Sequence, residues 1–342
     1  MRGWLKTGIG LALVGLVASA WWVMRPLPLA TPTVDLSIEP GTPVRLIAEQ
    51  VVQSGVQVSP KVLYWAFRAS GQSRQIRAGN YELTQGVSAW GLLQKLVRGE
   101  ETLLSVTLVE GWTFKQFRAA LDKAEHLRHD TQGMGDDELL KRLELAIPLV
   151  AAEGGFYPDT YTYGKGTSDL KLLQRAHRAM SRQLTKAWAQ RADDIVITSP
   201  QQALILASII EKETGRSGDR AMISSVFHNR LRLGMPLQTD PTVIYGMGGA
   251  FDGNLRRRDL QSDHPWNTYT RLGLPPTPIA MPGKASLVAS VQPARSRALY
   301  FVARGDGSSE FSDTLEQHNV AVNRFQRSKP VSGPSSTSGR AQ

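Results

Sequence analysis

The stretch Leu204-Ile205-Leu206-Ala207-Ser208-Ile209-Ile210-Glu211-Lys212-Glu213-Thr214-Gly215 is an apolar run that closes on two carboxylates. Its composition predicts a helix in the core of an α+β fold. Ionised groups avoid cores unless they are paired, neutralised or put to use, so one of the two glutamates is a candidate catalytic acid. Residues two apart on a helix point to nearly opposite sides, whereas those three, four and seven apart share a face. Glu213 continues the bulkier stripe of Leu206, Ile209 and Ile210, and Glu211 the stripe of Leu204, Ala207 and Ser208. Desolvation on the bulkier face would raise the pKa of Glu213 and keep it protonated near neutral pH, as a general acid requires. Taken alone, the segment reads more simply as a helix whose last turn is polar because it reaches solvent, with Gly215 as its stop.

Three neighbouring segments bear on that choice. Ser224 to Gly246 contains a helix ending at Gly234, then Gln238-Thr239-Asp240-Pro241, then a second helix. Asp240 before Pro241 is expected to act as an N-cap, with proline in the first helical position. Asn229, Arg230 and Gln238 are donors of the type that bind sugar hydroxyls and acetamido groups, although isolated residues of this kind more often bond at a surface. Pro265-Trp266-Asn267-Thr268-Tyr269-Thr270 and the proline-framed Gly273 to Gly283 set aromatic faces beside amides, which suits carbohydrate or simply a pinned loop. Glu153 to Tyr161 is another aromatic stretch, holding the acids Glu153 and Asp159.

Composition narrows the partners. The chain has 342 residues, 41% of them hydrophobic and 20% charged, with a formal net charge of +10 and no cysteine. Disulfides, zinc-thiolate sites and thiol catalysis are excluded. A basic surplus suits nucleic acid, phospholipid headgroups or an acidic cell wall. At the N-terminus, Arg2 and Lys6 precede eighteen uncharged residues, Thr7 to Met24, with Trp21-Trp22 where an interfacial aromatic belt would sit and Arg25 beyond. This pattern predicts a membrane-spanning anchor with a cytoplasmic N-terminus and an exported body. Ala18-Ser19-Ala20 would be the cleavage site if the segment were a signal peptide, but the apolar run continues past it. Export makes nucleic acid a poor partner, and no RNP motif, zinc finger or basic helix is present.

The chain is expected to divide into the N-terminus and transmembrane anchor (1–24), a stiff linker (25–33) and a small α+β module (34–100). A connecting region (101–198), a catalytic domain (199–326) and a disordered tail (327–342) would follow. Within these, strands are expected at Val34–Ile38 and Thr102–Leu108, and a turn entering a strand at Ile76–Leu83. Helices are expected at Val44–Val52, Pro60–Arg68, Ser88–Leu96, Phe114–Leu121 and Asp169–Arg191, with an ordered loop at Ala152–Gly166. The six histidines form no HxH or HExxH pair, and GxSxG, Walker and GxGxxG motifs are absent. A carboxylate enzyme, or no enzyme, remains.

Several of these segments together resemble the YceG-like family of endolytic murein transglycosylases. The resemblance rests on Leu206 to Thr214, Asn229-Arg230-Leu231, the long run Gly234 to Gly246, Asn267-Thr268-Tyr269, Gly273-Leu274-Pro275-Pro276 with Ile279 and Pro282-Gly283, and Phe156 to Tyr161; Leu299 to Val302 and His318-Asn319 also fit. It implies a single-pass protein of the bacterial inner membrane with a periplasmic body, a LysM-like N-terminal subdomain and an α+β catalytic domain. It implies cleavage of the β-1,4 bond between N-acetylmuramic acid and N-acetylglucosamine inside nascent peptidoglycan strands, leaving a 1,6-anhydro-muramyl end and needing no cofactor or metal. The family's catalytic glutamate falls on Glu213. Asn229, Arg230, Gln238 and Asp240 are expected to line the cleft, with Asn267 and Tyr269 across from them and Glu211 as a supporting partner of Glu213. The resemblance also suggests work beside peptidoglycan synthases and division proteins. Two rivals stay open: a hydrolytic muramidase with Asp240, Glu153 or Asp159 as second acid, and a non-enzymatic wall-binding or division scaffold.

Overall fold

The computed structural model describes residues 14–143 and 151–327, apart from residues 16 and 217. The chain divides into two compact units. Unit 1 takes the chain up to Ser105 with Glu125–Arg128 and Thr162–Thr167. Unit 2 takes Val106–Ala124, His129–Tyr161 and the chain from Ser168 onward.

Unit 1 begins with helix α1 (residues 14–24, residue 16 aside). Strand β1 (Thr33–Ile38), helices α2 (Val44–Gln53) and α3 (Pro60–Ala69), strand β2 (Gly79–Thr84) and helix α4 (Ala89–Arg98) follow. Val34, Leu36 and Ile38 alternate inward along β1, as a half-buried strand requires. β1 pairs antiparallel with β2 from Thr33 opposite Thr84 to Ile38 opposite Gly79. Ile47 and Val51 of α2, Leu63 and Phe67 of α3, Tyr81 and Leu83 of β2, and Leu92 and Leu96 of α4 close one core over this ribbon. Local chemistry sets the ends: Ser88 accepts a bond from Gly91 N, and Gly99 stops α4 in the left-handed conformation, φ 68°.

The stretch expected as a stiff linker is instead laid against unit 1. Leu27 is buried, and its N–H donates to Val87 O at 2.8 Å. Ala30 N donates to Gly55 O and Gln57 N to Pro28 O. Leu27 and Leu29 supply apolar surface that the prolines around them hide in composition, and the backbone partners fix the path. None of the described helices is long and apolar enough to cross a membrane. The first residues of the expected anchor, Thr7 to Leu13, lie outside the described residues, as does the tail beyond Arg327.

The chain continues through strand β3 (Leu104–Thr107), helices α5 (Phe114–Asp122) and α6 (Asp136–Arg142), and strand β4 (Thr160–Tyr163), which pairs with β3. Helices α7 (Asp169–Ala189), α8 (Pro200–Glu213), α9 (Arg220–Arg232), α10 (Asp240–Met247), α11 (Arg257–Gln261) and α12 (Lys284–Val291) follow. A hairpin, β5 (Tyr300–Ala303) and β6 (Ser309–Ser312), then precedes α13 (Leu315–Val322). α8 is the axis of unit 2. Ala203 to Ile210 are all buried, and α7, α9, α10 and α12 pack on it. A helix that is apolar all round needs such a jacket.

Three local expectations change. Residues 152–166, expected as a loop, contain β4, whose Tyr161 and Tyr163 alternate inward between glycines that obscure the pattern. Gly215 does not stop α8, which ends at Glu213 because Thr214 is already extended, φ −150° and ψ 134°. The regions expected as separate, 101–198 and 199–326, are joined: apart from residues 101–105, 125–128 and 162–167 the first shares unit 2 with the second, and α7 packs directly on α8. The jacket around α8 makes its centre sensitive to volume. Ile209→Ala should cost about 2–5 kcal/mol of stability in urea unfolding followed by circular dichroism, with no change of fold.

Candidate active site

Glu213 is the last residue of α8, where the buried helix meets a half-exposed surface. Its carboxyl oxygen accepts a bond from the Thr239 hydroxyl. Burial pushes its pKa up to about 7; the Thr239 bond pulls it back, the charge of Asp240 raises it and that of Arg230 lowers it. A carboxyl so balanced gives up and regains a proton near neutrality.

Thr239 is held from both sides. It is buried as the N-cap of α10. Its N–H donates to Thr268 Oγ1 at 3.1 Å, and its carbonyl accepts from Thr242 Oγ1 at 2.7 Å. Thr242 and Thr268 share a hydroxyl contact of 2.9 Å. The preceding Gln238 sits in the left-handed region, φ 51°, unusual for a residue with a side chain. Its N–H donates to Thr268 O at 3.1 Å. Asp240, expected as the cap, is instead the first residue of α10 and Pro241 the second, because the Thr239 backbone is extended and fills the cap position.

Arg230 braces this loop from α9. Its Nε donates to Leu299 O at 2.7 Å, and its Nη1 to Leu237 O at 2.8 Å and Pro236 O at 3.2 Å. The guanidinium lies over the Tyr300 ring, 5.2 Å from its centre, and His318 stacks on that ring. Tyr269 Oη donates to Asp240 Oδ1 at 2.5 Å. Burial, then this bond, holds the Tyr269 hydroxyl well above the usual phenol range. Thr239, Gln238, Asp240, Arg230 and Tyr269 thus gather round Glu213.

The other expected site residues go elsewhere. Asn229, one step along α9 from Arg230, donates its amide to Ser296 O at 2.9 Å and Ala298 O at 3.0 Å. Asn267 is fully buried; its amide donates to Leu260 O and Ser262 O, and its Oδ1 accepts from Tyr269 N. It shapes the loop that carries Tyr269 and is not across the cleft itself. Glu211 Oε2 accepts from Gly283 N at 2.9 Å, and its Oε1 lies 3.5 Å from Arg220 Nη2, the two side chains 7% and 11% exposed. Arg220 Nε in turn donates to Ser286 Oγ. Helical position does not separate the two glutamates, since α8 is covered on every side; their partners do. Glu211 faces a cation and a backbone N–H, whereas Glu213 receives a neutral hydroxyl.

Of the three candidate second acids, Asp240 is the one whose charge acts on Glu213. Glu153 is buried, accepts from Phe114 N at 3.0 Å and is pushed up to about 7 by burial. Asp159 accepts from the Thr160 N–H. Among the described residues no group of three or more histidines and acids could hold a metal ion. Sequence reasoning missed Thr239 and Tyr300. Thr239 is a β-branched hydroxyl residue just ahead of Asp-Pro; Tyr300 lies in the Leu299–Val302 stretch of the resemblance, which attaches no role to it.

Two measurements test this geometry. Arg220→Met leaves Glu211 buried without its cation and should cost about 3–5 kcal/mol in chemical unfolding. For Glu213 the fold favours the protonated form, so its contribution is full below the ordinary carboxyl value of 4.5 and lost as pH rises through about 7. Glu213→Gln should therefore match the wild type in stability near pH 4.5 and exceed it near pH 8 by on the order of 2–3 kcal/mol.

Comparison with known proteins follows the same residues. The YceG-like family model matches residues 36–324. The endolytic murein transglycosylase of Bacillus subtilis (strain 168) is 32% identical over 312 residues, covering 87% of this chain and 86% of the relative. That of Streptococcus pneumoniae serotype 2 (strain D39 / NCTC 7466) is 25% identical over 328 residues, covering 86% of this chain and 59% of the longer relative. Among solved structures, a yceG-like protein from Listeria monocytogenes is similar at 29% identity with a TM-score of 0.51, covering 84% of this chain and 98% of that one.

Proposed function

The chain belongs to the YceG-like family, and we propose that it is an endolytic murein transglycosylase with Glu213 as its acid and base. One observation carries the assignment of Glu213: a carboxyl at the end of a buried helix, poised near neutrality and held by Thr239. Protonated Glu213 gives its proton to the oxygen linking N-acetylmuramic acid to N-acetylglucosamine as the anomeric C–O bond breaks. The muramyl 2-acetamido group or the field of the site supports the oxocarbenium-like transition state. The resulting carboxylate takes the proton of the muramyl 6-hydroxyl, whose oxygen bonds to the anomeric carbon. The 1,6-anhydro ring closes without water and Glu213 regains its proton.

The surrounding residues support this one-carboxylate cycle. Asp240, the nearby acid that a hydrolase would use, has its carboxylate engaged by the Tyr269 hydroxyl. Its charge helps keep Glu213 protonated for the first step, and the Thr239 hydroxyl steadies the carboxylate for the second. Gln238, exposed beside Thr239, and Tyr269 are placed to meet sugar hydroxyls; Arg230 positions the loop that holds Gln238 and Asn267 the loop that holds Tyr269.

The proposal extends to place and setting. The run Thr7 to Met24 is taken as a single-pass inner-membrane anchor with Arg2 and Lys6 on the cytoplasmic side, which leaves the body in the periplasm with its glycan. The order β1, α2, α3, β2 in unit 1 supports a LysM-like subdomain. A cut inside nascent strands would end their elongation, which suits action beside peptidoglycan synthases and division proteins.

Mass spectrometry of glycan strands digested by the full chain is the test. Anhydro-muramyl ends are expected, and reducing ends would overturn the lytic chemistry. Folded Glu213→Gln should lose about 10²–10⁴-fold in rate; wild-type cleavage by that variant would remove Glu213 from its role. The wild-type kcat/KM should fall as pH rises above about 7, where the acid form of Glu213 is depleted.

A further inference from the structure

Unit 1 carries a groove of about 600 Å³ between α1 and α3. One wall is Ala18, Ser19, Trp22 and Val23; the other is α3, through Val62, Trp65, Ala66 and Ala69, with Trp90 closing it. Neither the acid site nor the core uses this face. Trp65 is 66% exposed and Val62 45%, a costly outward display for a water-bathed helix. Trp22 and Trp90 pack against the core of unit 1 with their inner faces, and residues 26–30 are bonded along it. The end of α1 is therefore fixed to unit 1.

We infer that α3 and the tryptophans around it lie in the interfacial layer of the lipid bilayer, so that unit 1 rests on the membrane surface. This rests on the reading of Thr7 to Met24 as a membrane anchor. If that run spans the bilayer, residues 18–23 are its outer end, and whatever packs beside them shares their depth. Five steps of helix rise cover about 8 Å, within the roughly 5–10 Å to which interfacial helices enter the headgroup boundary. The side chains agree. Val62, Trp65, Ala66 and Ala69 form an apolar stripe at helical spacing, and the exposed Lys61 and Arg68 flank it where anionic headgroups would lie. Tryptophan is the side chain favoured at that level.

Lipid is favoured over sugar as the occupant by the wall's own hydrogen bonds. Ser19 Oγ donates to Gly15 O at 2.8 Å, and Ser70 Oγ to Phe67 O at 2.7 Å while accepting from Gln72 N. The hydroxyls of the groove are satisfied internally, as an apolar medium demands and a glycan does not.

The chain has no native cysteine, so single cysteines report cleanly. Spin labels on Val17→Cys in α1, on Val62→Cys and Trp65→Cys in α3, and on Arg45→Cys on α2 would be read in the full chain, reconstituted in vesicles of phosphatidylethanolamine and phosphatidylglycerol. Labels at 17, 62 and 65 should relax with dissolved oxygen in preference to a water-soluble nickel chelate, and the label at 45 with nickel. Nickel preference at 62 and 65 with oxygen preference at 17 would overturn the inference and leave the anchor standing. Nickel preference at 17 would overturn the anchor and the inference with it. Protection at 62 and 65 from both reagents, or mobility there that changes only on adding soluble glycan strands, would give the groove to a protein or to sugar and overturn the lipid assignment.

Discussion

Everything in unit 2 depends on keeping α8 dry. Eight consecutive residues of that helix are buried, so its jacket of helices must close on all sides. The helix still has to end, and the residue that ends it is a carboxylic acid. Its final turn lies at the rim of the core, where Glu213 is half-buried and water no longer screens charge well. The same desolvation that stabilises Leu206, Ile209 and Ile210 disfavours ionisation of Glu213. Stability and acidity thus come from one cause.

The two glutamates show how position on a helix is overridden by what surrounds it. Both end the same apolar run, two residues apart. Arg220 and the Gly283 N–H meet one of them, turning it into a clasp between α8, α9 and the start of α12. The other meets a threonine hydroxyl and, near it, an aspartate already occupied by a tyrosine. Burial beside a neutral donor and the charge of Asp240 leaves the proton of Glu213 negotiable near neutrality. The division of labour between Glu211 and Glu213 is written in α9 and in the 236–240 loop, not in α8.

Much of the architecture was legible because short-range chemistry decides it. β1 alternates cleanly, Ser88 and Thr113 cap their helices with hydrogen bonds, and Gly234 follows α9 with φ 64°. The choice of Glu213 as the proposed acid rested on family resemblance, since periodicity favoured it for a reason the buried helix removes. What stayed hidden was long-range. Asn229 and Arg230 are adjacent in sequence and both donate to the 296–299 backbone, yet only Arg230 also reaches the 236–238 loop. Asn267 looked like a sugar ligand and is a buried brace. No local pattern distinguishes an amide that meets a ligand from one that satisfies stranded carbonyls; only the partners at distance do.

The guanidinium of Arg230 links two parts of the chain that lie about sixty residues apart, the 236–238 loop and Leu299 at the entry to β5. The loop and the hairpin are therefore mechanically joined. A substitution that shifts the β5 entry moves the anchor of a loop whose next residue is Thr239, and so reaches the acid without touching it. A change in the hairpin of β5 and β6 is thus felt at Thr239, the hydroxyl partner of Glu213.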